Sequence, residues 1–429
     1  MKLFNKMILI SFLFLNIRCT IFEIIFSPKS EGEVLFGYMD KKGKETIPPK
    51  YKKAHPFKED LASVKFENNL WGFIDKKDNR VIEPNYFDAN NFSEGLAAVK
   101  VNDAYSAKNW GYVNKKGEMV ISPSFYSAGE FRNGIARVTL EYTKRSGFAN
   151  HLHGYINKEG KVIAIDKDRT TSLERDNHSY ADGLLPVKTP DGWGFQNLAG
   201  EMITKDSYYE IRSFSEGMAA VAVNIDSPDT LKKFSDLIGG VPGSVLSVVS
   251  GTNTVILWGF INTSGQLVIP FTYLQVTPFT NGFAVVNNLK VDPISKSGYF
   301  FINKKGENQF NASFEFAKGF SSGLACVTSI SDDRGNTTSY YINSTGKKAL
   351  DSVDGRELFS CEPFSDGVAF IRTSEISQKD PNSFAEFTYR EGYIDNKGNP
   401  IYPLSIQKDF DSVRTFSNGM ALFNRYFKN

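Results

Sequence analysis

The sequence predicts an all-β fold of about nine tandem antiparallel β-meander repeats, each about 40 residues long, arranged as a propeller-like ring; an open β-solenoid is the alternative. Three observations predict it. A motif of Gly, aromatic, aliphatic and Asp or Asn recurs along the chain, as in "WGFID" at 71–75 and "WGYVN" at 110–114. A Gly follows three residues after that Asp or Asn in nearly every copy. A strand such as "LAAVKV" (96–101) then returns, apolar at odd and even positions alike. Aromatic residues make up 14% of the 429-residue chain, which suits strands, where flat rings pack on a pleated surface.

Strand B is the motif itself. It opens with Trp71-Gly72, Trp110-Gly111, Trp193-Gly194 and Trp258-Gly259, and in degenerate form at Phe36, His153 and Glu391. Because these Trp-Gly pairs hold one position in every copy, they are read as core, with the Gly leaving room for the ring. The turn after strand B starts at Asp40, Asp75, Asn114, Asn157, Asn197, Asn262, Asn303, Asn343 and Asp395. An Asp or Asn side chain opens such a turn by capping backbone N–H groups, and a left-handed Gly closes it. Only Asp78 replaces that Gly. Strand C, "RVIEP" in the second copy, is expected to end at its proline (Pro84, Pro123, Pro270, Pro403), which cannot donate to a ladder. A short extended segment follows, with a Phe or Tyr at 57, 92, 131, 180, 214, 279, 320, 364 and 416, and then a tight polar turn such as "FSEG". Strand A leaves that turn. Sheets apolar on both faces must be covered on both sides, so copies must stack on one another.

The chain ends favour a ring over a rod. The first copy begins at strand B, with "SEGEVL" (30–35) at most a clipped strand A, and the last copy ends on strand A, "SNGMALFNRYF" (417–427). Pairing the two would complete one sheet and remove both exposed edges.

These motifs together resemble the WG (KWG) repeat family of bacterial proteins, over most of residues 33–427. The resemblance implies an exported or surface-associated repeat protein with a binding or structural role. It carries over no catalytic residue.

The residues themselves point away from catalysis. With 50 basic and 48 acidic residues and no basic block, the chain carries no nucleic-acid footprint. One Asp or Asn per turn is a poor site for a hard cation wanting several oxygens, so these residues are read as turn caps. His151 and His153 share a strand face but lack visible partner ligands, and are read as part of a surface hairpin. No nucleophile elbow, metalloprotease motif or P-loop is present. Neither a cofactor, a metal nor a catalytic residue is expected. Cys326 and Cys361 fall in neighbouring copies and are read as free buried thiols, a disulfide being the alternative in an exported chain.

The N-terminus has a different character. Lys2 and Lys6 precede the apolar run "MILISFLFL" (7–15), the layout of a secretory signal. Cys19 follows, as in lipoprotein signals, although Arg18 stands where such signals carry a small residue; an uncleaved signal anchor is the alternative. The chain is thus divided into a signal peptide at 1–19 (Cys19 the lipidation candidate), a linker at 20–32 and a repeat domain at 33–429 with an insertion at 225–257. That insertion departs most from the repeat. Its apolar residues Leu231, Phe234, Leu237, Val245 and Val248, on a short helix over 230–238 and a strand-like run after it, are candidates for partner contact. A milder insertion spans 374–391. The function expected is a non-catalytic scaffold of the cell envelope, engaging a protein or glycan partner through loops and insertions and touching the membrane only through an N-terminal lipid anchor. A glycan-active enzyme at the mouth of the ring is the alternative.

Overall fold

A computed structural model of the chain describes residues 32–104, 107–145, 148–166, 180–226, 255–288, 298–330, 337–377, 386–401 and 412–428. No helix among them is long and apolar enough to cross a membrane.

The described residues form nine antiparallel meanders. The chain opens with β1 (Gly32–Asp40) and β2 (Glu45–Tyr51). The second meander is β3 (Lys53–Ala54), β4 (Leu61–Lys65), β5 (Trp71–Asp75) and β6 (Arg80–Tyr86). The third is β7 (Asp88–Ala89), β8 (Leu96–Lys100), β9 (Trp110–Asn114) and β10 (Met119–Phe125). The fourth is β11 (Ser127–Ala128), β12 (Ile135–Arg145), β13 (Phe148–Asn157) and β14 (Val162–Asp166). The fifth keeps β15 (Leu184–Thr189) and β16 (Gly192–Asn197), its outer strand reduced to bridges from Trp193 to Tyr208 and Gln196 to Met202. The sixth is β17 (Glu210–Ile211), β18 (Met218–Ile225), β19 (Val255–Asn262) and the first half of β20 (Leu267–Val276). The second half of β20 opens the seventh, with β21 (Ala284–Asn288) and β22 (Tyr299–Ile302). The eighth is β23 (Phe316–Ala317), β24 (Leu324–Thr328), β25 (Ser339–Asn343) and β26 (Lys348–Leu350). The ninth is β27 (Ser352–Val353), β28 (Arg356–Cys361), β29 (Val368–Ser377) and β30 (Glu386–Asp395). Finally β31 (Ser412–Ser417) and β32 (Met420–Lys428) return to β1 and β2 in the sheet order β2-β1-β32-β31.

That last sheet closes the ring and excludes the open solenoid. β1 pairs with β32 over its whole length, from Gly32 opposite Lys428 to Asp40 opposite Met420. Residues 32–35 are therefore the start of strand B, not a clipped strand A. The four-stranded edge that an open stack would leave is filled by the chain's own last strand.

A hydrophobic cluster lies in each of the nine gaps between successive meanders. On β8, Leu96 and Ala98 pack with the fourth meander, while Ala97 and Val99 pack with the second. The closing strand does the same, sending Met420 and Leu422 to the second meander and Ala421 and Phe423 to the ninth. At the centre of eight of the nine gaps the strand-B aromatic meets the recurrent Phe of the following copy. Phe73 and Phe92 lie 4.8 Å apart, Tyr112 and Phe131 4.9 Å, Phe195 and Phe214 4.7 Å, and Tyr38 and Phe57 4.7 Å. Such tilted and edge-on pairs exploit the ring quadrupole beyond simple burial. At Tyr112 and Tyr341 the hydroxyl also donates across the gap, to the Gly129 carbonyl (2.9 Å) and the Glu362 carbonyl (2.7 Å). Burial pushes the Tyr112 hydroxyl far above its ordinary pKa, so it remains a donor.

Two sequence readings need correction here. The glycine beside each Trp does not make room for the indole. Phe73 pairs with Ile82 but Trp71 pairs with Tyr86, so strand C carries two extra residues as a bulge. A Cβ on Gly72 would sit 2.6 Å from the Ile82 carbonyl oxygen and 2.9 Å from the Pro84 nitrogen. At 194 the glycine admits the Thr204 and Met202 side chains, and at 72, 111 and 259 it admits the bulged backbone of strand C. For the same reason proline does not end that strand: Pro84 and Pro123 lie inside β6 and β10, in the bulge, where no ladder donor is needed. Pro403 lies outside the described residues.

Candidate functional site

The two ends of the strands are built differently. At one end lie the strand-B to strand-C turns and the "FSEG" turns; at the other lie the A–B hairpins and the links from strand C to the next copy.

The turn end is a hydrogen-bonded circle. In eight of the nine B–C turns the Asp or Asn side chain accepts two backbone N–H bonds, for example Asn114 Oδ1 from Lys116 (3.0 Å) and Glu118 (3.1 Å) and Asp75 Oδ1 from Lys77 (2.8 Å) and Asn79 (2.9 Å); Asn157 accepts from Lys161 (2.9 Å). Burial works against the Asp75 carboxylate, but the Asn79 and Lys77 donors outweigh it and hold its pKa low. Asp78, at the left-handed position (φ 68°), uses the carboxylate that glycine lacks to accept from the Tyr51 hydroxyl of the preceding meander (2.6 Å) and to pair with Lys50.

The "FSEG" turns are two-residue hairpins with positive φ at both central residues, for example Glu94 (54°) and Gly95 (85°). They join one copy to the next. Ser93 Oγ donates to the Phe131 carbonyl (2.5 Å), Ser215 to Phe279 (2.7 Å), Ser365 to Phe416 (2.7 Å), and Ser417 to Phe57 (2.6 Å), which crosses the closure. The carboxylates reach the same way: Glu94 accepts from Gly134 N (2.8 Å) and pairs with Lys158 (3.1 Å), and Glu59 accepts from Gly95 N (3.0 Å) and pairs with Lys115 (3.2 Å). At Asn133 and Asn281 the amide donates instead, to the Tyr180 and Phe320 carbonyls. Sequence reading saw these turns as merely polar. The signal was the recurrence of Ser-Glu-Gly itself, but its partners lie about one repeat away.

The hairpin end varies. The β12–β13 hairpin extends to Arg145 opposite Phe148, β18–β19 to Ile225 opposite Val255, and β29–β30 to Ser377 opposite Glu386. Both insertions recognised in the sequence leave from this end. The candidate contact residues Leu231, Phe234, Leu237, Val245 and Val248, and the lipidation candidate Cys19, lie outside the described residues. This end also carries exposed aromatics: Phe87, Tyr209, Phe316, Phe359 and Tyr389 are 41–52% exposed. Phe87, Tyr209 and Phe359 occupy equivalent positions just before or within the short first strand of a meander.

The four tryptophans separate into two groups. Trp71, Trp193 and Trp258 are 5–6% exposed, and each is covered by a neighbour: His55 stacks on Trp71 (4.9 Å), Lys188 lies over Trp193 (5.0 Å) and Arg212 over Trp258 (4.9 Å). Trp110 is only partly buried. Beside it a cleft of about 230 Å³ opens between the third and fourth meanders, lined by Asp88, Lys100, Asn109, Trp110, Tyr126 and Tyr142 among others.

His151 and His153 are parallel, 5.8 Å apart, but only His151 reaches the cleft. His153 is buried, its Nδ1 3.2 Å from Thr139 Oγ1, which corrects the reading of both as surface residues. No cluster of three or more metal-ligating side chains occurs among the described residues. Cys326 and Cys361 are not free thiols: they form a disulfide between the eighth and ninth meanders. The strand-A and short-strand positions that they occupy face each other across a gap, so equivalent cysteines one copy apart are brought together by the repeat geometry.

Comparison with known proteins agrees with the repeat architecture. No curated relative matches the chain. Solved structures similar to the chain include a eukaryotic initiation factor (11% identity, covering 93% of this chain and 97% of that one, TM-score 0.40) and the WD40 β-propeller domain of Doa1 (10%, 81% and 94%, TM-score 0.29). The sequence profile of the WG-containing repeat matches residues 36–70, 71–105, 110–142, 193–224, 258–288, 299–328 and 392–425. More than half of the sequence falls in those segments, each begins at or beside a strand B of the ring, and the chain belongs to the WG-repeat family.

Proposed function

We propose that this protein is a non-catalytic scaffold of the cell envelope, whose ring holds the hairpin end toward a protein or glycan partner. One observation carries the reading: length variation and exposed aromatics gather at the hairpin end, while the turn end repeats one hydrogen-bonded design. Insertions in repeat proteins collect where they meet partners, and rigid scaffolds carry binding residues on loops. The basic, apolar N-terminus supports export. So does the disulfide, since such bonds persist in oxidising compartments.

Photo-crosslinking in intact cells tests this. A crosslinking residue is placed at Phe316 or Phe359 on the hairpin end, and at Lys77 or Lys116 on the turn end. Adducts from the hairpin end alone are expected; adducts only from the turn end, or none, overturn the reading. Palmitate labelling with protease treatment of intact cells tests anchoring at Cys19 and exposure.

A further inference from the structure

We infer that the cleft beside Trp110 is a binding subsite for one neutral pyranose ring of a saccharide; this rests on the binding role proposed above and names a ligand class for one part of the hairpin end. The cleft lies between two rows of side chains. From the third meander come Asp88, Lys100 and Trp110, which are direct cross-strand neighbours on β7, β8 and β9. From the fourth come Ser127 and Thr139, opposed on β11 and β12, and Tyr142 and His151, opposed on the extended β12–β13 hairpin. Tyr126 lies between the rows in sequence and 6.0 Å from Tyr142, which is 5.1 Å from His151.

Of the four tryptophans, only Trp110 is left partly open beside its gap. At Trp71 and Trp258 the covering side chains, His55 and Arg212, each sit one residue past the short first strand. The equivalent Asn90 is too short to lie on an indole, and its Nδ2 donates to the Ala128 carbonyl instead (3.0 Å). Among the described residues no side chain stacks on Trp110. Asn109, itself buried, pins the adjoining hairpin by donating to the carbonyls of Asn102 (3.0 Å) and Ala104 (2.9 Å).

The lining selects the ligand class. Four aromatic rings around a small space suit either a quaternary ammonium or the flat C–H face of a sugar. Lys100 lines the cleft and Lys108 lies over Tyr126 (5.8 Å), so two cations stand against a cationic ligand. Asp88 stands against an anion. A neutral polyol satisfies both, with hydroxyls for Asp88, Lys100 and Ser127 and a ring face for Trp110 or Tyr126. At about 230 Å³ the cleft is below the roughly 300–1,000 Å³ that takes drug-sized ligands, which fits one ring.

The test is titration of the full chain with glucose, galactose, mannose and N-acetylglucosamine, read by tryptophan fluorescence and calorimetry, with tetramethylammonium as the competing chemistry. At least one sugar should bind saturably with a dissociation constant on the order of 1–10 mM, as expected for a ligand of this size. Trp110→Ala and Tyr142→Ala should each weaken it at least about fivefold, and Trp258→Phe should not. Tyr142 belongs to no buried cluster, so its variant remains informative if Trp110→Ala fails to fold. Absence of saturable sugar binding, binding unchanged in Tyr142→Ala, or a preference for tetramethylammonium overturns the inference. Should crosslinks at Phe316 or Phe359 persist in that case, the scaffold reading stands and only the sugar subsite is lost.

Discussion

The turn end and the hairpin end are made from the same strands, yet they obey different constraints. At the turn end nearly every polar side chain points at the backbone of the same copy or the next, so a substitution there is felt by two meanders. At the hairpin end the paired strands run to different lengths from one meander to the next. The difference separates what the ring requires to exist from what it is free to change.

The largest test of that contrast is removal of β32. This strand fills the closing sheet and contributes to two of the nine gaps, so truncating the chain after Ser417 should remove most or all of the roughly 5–15 kcal/mol that holds a domain together. Replacing 227–254 with a two-residue turn should leave the melting temperature nearly unchanged, because Ile225 and Val255 already pair. Equal damage from both would break the comparison.

Next in size is a matched pair of phenylalanines. Phe92→Ala empties a site against Phe73 and should cost about 3–5 kcal/mol, whereas Phe87→Ala, five residues away on the exposed end, should stay within about 0.5 kcal/mol. Denaturant melts of the two variants measure this directly. Gly72→Ala should fall between them, at about 1–3 kcal/mol, since only backbone atoms stand in the way of the new methyl.

The smallest effect concerns pH. Glu94 has its pKa lowered: burial opposes the charge, but the Gly134 N–H and Lys158 outweigh it. A depressed folded-state pKa stabilises above the ordinary glutamate value and is lost as pH falls through the folded-state value. Wild type should therefore lose stability on acidification below about pH 4.5, and Glu94→Gln should flatten that slope slightly while costing at most about 1 kcal/mol at neutral pH. An identical slope in the variant would remove Glu94 from the turn-end circle.

Much of this contrast was legible in the sequence, and its limits are physical. The Asp/Asn-x-x-Gly turns could be read because the cap and the backbone N–H groups that donate to it lie within four residues. Two-faced burial could be read because Leu96-Ala97-Ala98-Val99 leaves no polar face. Closure could be read because the two chain ends carry complementary parts of one copy. The glycine of Trp-Gly was misread because its constraint comes from the bulge of strand C, set by Ile82 and Pro84. The role of Asp78, the one exception to the turn Gly, was not legible because its partners Tyr51 and Lys50 belong to the preceding copy. The disulfide and the Trp110 cleft depend on which faces of adjacent copies meet, and no local pattern encodes that.

The direction of β1 carries one last consequence. It runs from the hairpin end toward the turn end, so residues 20–31 join the ring at the hairpin end. Were Cys19 acylated as proposed above, twelve residues, which can span at most about 40 Å, would separate the anchor from the aromatic end of the ring. A partner would then have to be met in the narrow space between ring and bilayer.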